Sequence, residues 1–237
     1  MRRLILAHGD KGGTGKTQAA QSTAAAYRMA GRPLLLIDGD AKNPGLHRAF
    51  DGKPDEVLRI NVRKPEGIDK LFEAFLETTC DVLVDLPAGG SDMTARLVGG
   101  GTDEGSFDIE TLFAQINARL TILFVLDQGR DSVVALNEEL HIMPKTVTDW
   151  IIVRNHRLVD QPFDRFEKWA ARADLSHATI LDMPRLDRKV IELMIDAKSN
   201  LAELPNLETA TAIAKLRGQS ALRIWSAELR KAGLLDG

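Results

Sequence analysis

A short segment near the start of the chain combines glycines, two lysines and a threonine in the order Lys11-Gly12-Gly13-Thr14-Gly15-Lys16-Thr17. It lies between an apolar run and an alanine-rich stretch, which is the strand, loop and helix context of a phosphate-binding loop. Glycines let the backbone turn its N–H groups inward, and the following helix adds the positive end of its dipole. Lys16 could reach β- and γ-phosphates, and the Thr17 hydroxyl could ligate Mg²⁺. The segment predicts a bound nucleoside triphosphate; a glycine-rich turn with solvated lysines is the alternative.

Acidic side chains follow two other apolar runs. Residues 34–37 lead into Asp38-Gly39-Asp40, and residues 82–84 lead into Asp85 and a turn that contains Gly89. Because ligands of a parallel sheet bind at the carboxyl ends of its strands, these aspartates are candidate partners of the phosphate-binding loop. Their oxygens suit a hard divalent cation. An acidic helix cap at Asp38 and Asp40, and a plain strand-end turn at Asp85, are the alternatives.

The loop departs from the usual G-x-x-x-x-G-K-[ST] form and carries a second lysine, Lys11. In this it resembles the deviant Walker A loop of the ParA/MinD superfamily. The resemblance implies an ATPase in which Lys16 contacts the phosphates and Lys11 reaches the nucleotide of a second subunit. The residues implied to hold ATP in the loop are Gly12, Gly13, Thr14, Gly15, Lys16, Thr17 and Gln18.

The same resemblance assigns roles to the strand-end segments. It implies that Asp38 assists the magnesium shell and that Asp40 orients the attacking water, although Ala41-Lys42 replace the usual Pro-Gln. It makes Asp85 a magnesium ligand through water, and Gly89 a γ-phosphate contact. The implied catalytic residues are Lys11, Lys16 and Asp40, and the implied metal-site residues are Thr17, Asp38 and Asp85.

Base recognition is implied at two positions further along the chain. Asn155 follows a predicted strand, and Pro184 follows the next one. In the superfamily, residues at these places embrace adenine, and an amide can both donate to and accept from a purine edge. A strand-end cap is the alternative for Asn155.

Strand and helix patterns alternate along the chain. Runs such as 34–37 and 122–126 are apolar throughout, which is typical of strands buried on both faces. The predicted strands are 3–8, 33–38, 57–62, 81–86, 120–126, 149–154 and 178–183. The predicted helices are 16–30, 67–77, 108–118, 132–140, 162–173, 186–197 and 207–232. This alternation predicts an α/β fold, a doubly wound and mostly parallel sheet flanked by helices, as in P-loop NTPases.

Length and composition suit one globular domain, which we predict to span residues 1–237. A net charge of −3 gives no overall attraction to nucleic acid or to an acidic membrane. The single cysteine, Cys80, precedes an apolar strand and is expected to be a buried thiol in a reducing cytosol. There is no apolar run of about 18 residues and no leader pattern, so we expect a cytoplasmic protein.

Three other features carry expectations. His8 ends the first predicted strand, and we expect it to form hydrogen bonds there rather than to act in catalysis. The glycine-dense segment 98–106 predicts a surface connection, with ordering on ligand binding as the alternative. The last predicted helix is expected to pack on the sheet, with a membrane-binding or DNA-binding helix as the alternatives. Its apolar residues at helical spacing are Leu222, Trp225, Leu229 and Ala232.

The resemblance to the ParA/MinD superfamily implies a Mg-ATP-hydrolysing switch that forms a nucleotide-sandwich homodimer. The resemblance implies slow turnover without a stimulating protein partner, and a setting in plasmid or DNA segregation, stability or conjugative mobilisation. Nonspecific DNA is a further predicted partner, and a membrane a less favoured one. The alternatives are a MinD-like membrane-positioning ATPase, an ATP-dependent ligase like dethiobiotin synthetase, and a noncatalytic scaffold.

Overall fold

The computed structural model describes residues 1–9, 11–50, 57–89, 96–98, 108–158 and 161–236. The strands in these residues are β1 (Arg2–His8), β2 (Leu34–Asp38), β3 (Val57–Arg59), β4 (Asp81–Asp85), β5 (Ala118–Leu126), β6 (Thr148–Asn155) and β7 (Ala178–Met183). They form one sheet in the order β3-β2-β4-β1-β5-β6-β7. Every neighbouring pair is parallel, which confirms the predicted α/β class.

Helices cover both faces of the sheet. They are α1 (Lys16–Met29), α2 (Gly45–Phe50), α3 (Pro65–Glu77), α4 (Ile109–Gln115), α5 (Arg130–Ile142), α6 (Asp164–Ala170), α7 (Arg188–Asp196) and α8 (Ala212–Lys231), with a 3₁₀ turn at Leu204–Asn206. One apolar layer includes Tyr27 and Trp225, and the other includes Phe75 and Phe113. A sheet sandwiched in this way explains why its strands are apolar along their whole length.

The central strand β1 determines where the site can form. It lies between β4 and β5. The chain leaves β1 toward β2 and leaves β5 toward β6, so the connections from these two neighbouring strands run in opposite directions along the sheet. The helices that follow such strands diverge and leave a crevice at the carboxyl ends of the strands. The phosphate-binding loop connects β1 to α1 and therefore lies in this crevice.

The last helix packs against the body of the protein, as predicted. Leu222, Trp225 and Leu229 are at most 3% exposed, and the indole Nε1 of Trp225 donates a hydrogen bond to Thr23 Oγ1 on α1 at 3.2 Å. Truncation of a buried tryptophan costs about 3–5 kcal/mol of folding free energy. These apolar residues therefore belong to the core.

Several predicted bounds are wrong for local reasons. The strand predicted over 57–62 ends at Arg59, since the chain then turns into α3 through the bond from Lys64 N to Asn61 O. The helix predicted over 108–118 stops at Gln115, because Ala118 already pairs with β1. The last helix begins at Ala212, after Thr211 caps it.

Three further features are a helix that was not predicted, the burial of Cys80 and the glycine-dense segment. The short helix α2 has no counterpart among the predicted helices. Cys80 is only half-buried, with its Sγ 3.2 Å from Thr78 Oγ1, because it lies in the turn before β4 rather than within the strand. The glycine-dense segment lies outside the described residues except for Val98.

Candidate nucleotide-binding site

Close packing around the loop after β1 makes its first and last glycines necessary. Gly9 has φ +153°, and a Cβ there would lie 2.6 Å from the carbonyl oxygen of Val125 on β5. Gly15 has φ +104° at the start of α1, and a Cβ would lie 2.2 Å from the side-chain nitrogen of Asn155. A side chain at either position would force the loop apart. The glycines thus let the loop pass close to two neighbouring strands.

The lysine at the helix start is folded over the loop. Lys16 is only 7% exposed, and its Nζ donates a hydrogen bond to the carbonyl oxygen of Lys11 at 2.8 Å. A buried ammonium beside the N-terminus of α1 concentrates positive charge in a small space. An anion with several oxygens is the ligand that this arrangement suits best.

Lys11 has a different environment from Lys16. Its side chain is 56% exposed, and its Nζ lies 3.6 Å from Asp131 Oδ2 at the start of α5, where the aspartate side chain is 76% exposed. Exposed ion pairs of this kind contribute little to stability. Lys11 can therefore leave Asp131 for another anion at low cost.

Asp85 ends β4 as a buried carboxylate without an adequate partner. The residue is 1% exposed, and among the described residues neither carboxylate oxygen has a well-formed hydrogen bond. Burial raises the pKa of Asp85 to about 7 and the charge of Asp38 adds to the shift, whereas the nearby Thr17 hydroxyl and Lys16 oppose it. A cation placed beside this carboxylate would supply the missing compensation.

Asp38 ends β2, and both of its carboxylate oxygens accept hydrogen bonds. Its Oδ1 accepts the backbone N–H of Asp40 at 3.0 Å, and its Oδ2 accepts that of His47 on α2 at 2.9 Å. Burial raises the pKa of Asp38, and these backbone bonds lower it. Asp38 therefore holds the segment between β2 and α2 in place.

Asp40 shapes the turn that follows. Its Oδ1 accepts the backbone N–H groups of Lys42 at 3.0 Å and Asn43 at 3.1 Å. These bonds form a side-chain-stabilised turn before α2 rather than the helix cap that was the alternative to a catalytic role. The segment also approaches β4, because Gly39 N donates to the carbonyl oxygen of Asp85 at 2.9 Å.

The turn after Asp85 is ordered by an arginine that the sequence patterns did not single out. Arg63 Nη2 donates to the carbonyl oxygen of Ala88 at 2.6 Å, and Gly89 follows with φ +89°. Glycine adopts this left-handed conformation at little cost. Gly12 is close by, since a Cβ there would lie 3.9 Å from the Ala88 Cβ.

Asn155 lies behind the loop. It is 1% exposed, and its Nδ2 donates to the carbonyl oxygen of Thr14 at 2.7 Å. The side chain thus supports the loop backbone, as a strand-end cap would, and its amide donor is not directed at an open cavity. The predicted adenine contact has no geometric support here and stays a prediction.

A cavity borders the loop, and neither Asn155 nor Pro184 is among the residues that line it. A pocket of about 380 Å³ borders Thr17 and Gln18, with Gln21 and Arg48 on one side and Leu186 on the other. Pro184 lies in a separate groove with Arg185 and Arg217. The predicted adenine contact at Pro184 therefore stays a prediction. Arg48 and Leu186, which line the pocket beside the loop, were not singled out from the sequence.

Arg157 is a further contact that the sequence patterns missed. Its Nη1 donates a hydrogen bond to the carbonyl oxygen of Gly13 in the loop. The only available signal was its position two residues after Asn155, beyond the end of β6. His8 is buried at the end of β1, and its Nε2 lies 3.1 Å from the buried Glu139 Oε1 on α5.

Comparison with known proteins places this geometry in context. No protein-family model matches the sequence. Protein MobD of Acidithiobacillus ferrooxidans is 26% identical over 154 residues, which cover 65% of this chain and 63% of MobD. The matched region is therefore less than two thirds of MobD.

Solved structures give longer matches. MinD complexed with Mg-ADP from Pyrococcus horikoshii OT3 is 15% identical, with a TM-score of 0.61 over 98% of both chains. The pNOB8 ParA bound to nonspecific DNA is 14% identical, with a TM-score of 0.54 over 100% of both chains. The chain has the fold of MinD and ParA.

In this MinD and ParA fold, the residues present suit a hydrated magnesium ion. Among the described residues, no cluster of three His, Cys, Asp or Glu side chains could hold a metal by itself. Mg²⁺ keeps several waters and needs few protein ligands besides phosphate oxygens. The Thr17 hydroxyl and the orphaned Asp85 carboxylate meet that need, whereas both oxygens of Asp38 are occupied.

Across the described ranges, each helix is too short or too polar to cross a lipid bilayer.

Proposed function

We propose that the chain is a Mg-ATP-binding and hydrolysing switch that forms a nucleotide-sandwich homodimer. The observation that supports this most directly is the Asp85 carboxylate, buried beside Thr17 and left without an adequate hydrogen bond among the described residues. An orphaned carboxylate next to a phosphate-binding loop is destabilising unless a ligand compensates it. A metal-bound triphosphate fits both the loop and the carboxylate.

The proposed chemistry needs positioned charge more than covalent participation by the protein. Backbone N–H groups of residues 12–17 and the Lys16 ammonium would bind the phosphates, and the N–H of Gly89 would contact the γ-phosphate. Asp40 would orient the attacking water. Bound Mg²⁺ would neutralise charge on the phosphate oxygens, held by Thr17 and, through water, by Asp85.

Lys11 is the residue on which the proposed homodimer depends. Its weak exposed pairing with Asp131 leaves the ammonium able to reach a neighbouring molecule. We propose that Lys11 of one subunit contacts the nucleotide of the other, so that hydrolysis depends on association. A stimulating protein partner would then act by stabilising or completing this arrangement.

The proposed setting is plasmid or DNA segregation, stability or conjugative mobilisation in the cytoplasm. Its support is the likeness to MobD and to a ParA bound to nonspecific DNA. The membrane-positioning alternative is weaker, because Leu222, Trp225 and Leu229, the apolar residues of α8 that suggested it, are buried in the core.

The test combines nucleotide binding, turnover and mass. Calorimetry with Mg-ATP should show saturable binding to the native chain, and Lys16→Ala should abolish it. Lys168→Ala, an exposed lysine on α6, is the matched control and should bind normally. No heat of binding to the native chain at saturating Mg-ATP would overturn the proposal.

Dimerisation is tested separately with Lys11→Ala. Specific ATP turnover of the native chain should rise with protein concentration, and light scattering should show a dimer with a slowly hydrolysed ATP analogue. The variant should keep nucleotide binding but show low turnover at every concentration. Unchanged turnover that is independent of concentration would contradict the intersubunit role.

A further inference from the structure

A second cavity lies at the opposite edge of the sheet from the phosphate-binding loop. It measures about 390 Å³ and opens where β6 and β7 begin, between the end of α5 and the end of α6. Volumes of this size are typical of small-molecule sites. Nothing in the proposed ATPase chemistry uses this pocket.

Two tryptophans form its aromatic walls. Trp150 on β6 is 5% exposed, and Trp169 on α6 is half-buried. The indole Nε1 of Trp169 donates to Asn137 Oδ1 on α5 at 3.1 Å, which fixes the orientation of that ring. Aromatic rings prefer offset stacking or edge-to-face contact with other rings. The walls therefore suit a flat aromatic ligand.

A buried hydroxyl in the pocket lacks a partner. Thr148 is 1% exposed and lines the cavity, and its Oγ1 has no hydrogen bond among the described residues. Buried polar groups in proteins are nearly always bonded, and each exception needs an explanation. A polar atom of a ligand in the cavity would satisfy this hydroxyl.

The rim of the pocket carries an excess of positive charge. Lys145 Nζ lies 3.6 Å from Asp174 Oδ2, and Asp174 also accepts hydrogen bonds from the backbone N–H and hydroxyl of Ser176. Arg172, also on the rim, has no ion pair within the part of the chain that the structure describes. Lys145 and Arg172 outnumber Asp174 at the rim, so a net positive charge is available to an anion.

We propose that this pocket binds a small planar aromatic anion, a molecule with one or two fused rings and a carboxylate or phosphate group. The rings lie between Trp150 and Trp169, a polar atom reaches Thr148, and the anionic group lies at the rim beside Arg172. The site is independent of the ATP site, so it holds whether or not the ATPase proposal does.

The three tryptophans provide a built-in measurement. In ¹H–¹⁵N spectra of the full chain, each indole N–H gives its own signal, assigned with single Trp→Phe variants. Titration with 2-naphthoate should shift the signals of Trp150 and Trp169 saturably. The signal of Trp225, buried against α1 on the other side of the sheet, should stay unchanged.

Variants and a charge-reversed probe separate specific binding from general adhesion. Thr148→Val should weaken 2-naphthoate binding about threefold to tenfold, the usual value of one hydrogen bond. Arg172→Ala should weaken it about twofold or more. The controls Thr179→Val on β7 and Arg165→Ala on α6 lie outside the pocket lining and should have no effect. The cation 2-naphthylmethylamine should bind more weakly than 2-naphthoate.

Several results would overturn the proposal. These are the absence of saturable shifts at Trp150 and Trp169, equal shifts at Trp225, or binding that neither pocket variant weakens. Equal affinity for the cation and the anion would overturn the assigned charge of the ligand. An unchanged Trp225 signal in each variant shows that the core is folded, so a loss of binding then reports on the pocket.

Discussion

Asp38 and Asp85 face each other in register at the ends of β2 and β4, yet the protein treats them differently. Both are at most 2% exposed. Asp38 accepts two backbone N–H groups from its own segment, whereas Asp85 has no well-formed hydrogen bond among the described residues. Burial raises the pKa of both, but backbone donors oppose the shift strongly only at Asp38.

The difference separates a carboxylate that builds the site from one that is left for a ligand. A buried carboxylate must be compensated by hydrogen bonds, by a countercharge or by protonation. Asp38 is compensated by local backbone and thereby fixes the path toward α2. Asp85 relies on protonation or on a cation, so its role depends on what is bound.

The largest expected effect is on activity at Asp85. Asp85→Asn removes the charge that would hold hydrated Mg²⁺ while keeping the side-chain volume, and ATP turnover should fall about a thousandfold. The thermal unfolding temperature of the nucleotide-free protein should not fall, because the substitution removes no well-formed hydrogen bond. The matched control is Asp69→Asn on the exposed surface of α3. Full turnover in Asp85→Asn would remove Asp85 from the proposed site.

Asp85 also predicts how stability varies with pH. Its pKa rises from an ordinary 3.8 to about 7 in the folded protein. Between these values the folded state holds a proton that the unfolded state releases, so the free energy of unfolding should decrease as pH rises. The decrease is on the order of 4 kcal/mol. Urea unfolding in EDTA across this range should show the decrease in the native chain and lack it in Asp85→Asn; parallel curves would contradict the assignment.

Unlike Asp85→Asn, the substitution Asp38→Asn should lower the free energy of unfolding. An asparagine has only one side-chain oxygen, so Asp38→Asn leaves the N–H of Asp40 or of His47 without its acceptor. The expected cost is about 2 kcal/mol of folding free energy, measured by urea unfolding at neutral pH. If Asp38→Asn and Asp85→Asn unfold at the same urea concentration, the contrast between the two carboxylates is wrong.

The sequence predicted where Asp38 and Asp85 lie, but not which of the two carboxylates has hydrogen-bond partners. Glycine spacing predicted the loop, and apolar runs ending in Asp38 and Asp85 predicted the edge where these residues meet. Those signals are local, because a strand buried on both faces has to be apolar along its length. Which carboxylate is satisfied depends on the path of α2, a short helix with too few turns to show periodicity.

Contacts between distant segments could not be predicted from the sequence either, because they depend on how strands and helices pack. Asn155 meets Thr14, and Arg157 meets Gly13, only because β6 ends beside the loop. The residue types at 155 and 157 are equally compatible with an open base contact or a surface loop. The lining of the neighbouring cavity by Arg48 and Leu186 likewise depends on how α2 and the segment before α7 approach α1.

The smallest stability effect in this comparison, at Asp40, decides between two roles. Asp40→Ala removes the acceptor for Lys42 N and Asn43 N and should cost about 1 kcal/mol of folding free energy. Asp40→Asn keeps an oxygen that can accept these bonds but removes the charge. If Asp40 orients the attacking water through its carboxylate, turnover at saturating Mg-ATP falls in both variants, with nucleotide affinity preserved. If Asp40 only caps the turn, Asp40→Asn keeps native turnover and stability. The segment between β2 and α2, which Asp38 holds in place, then has a purely structural role.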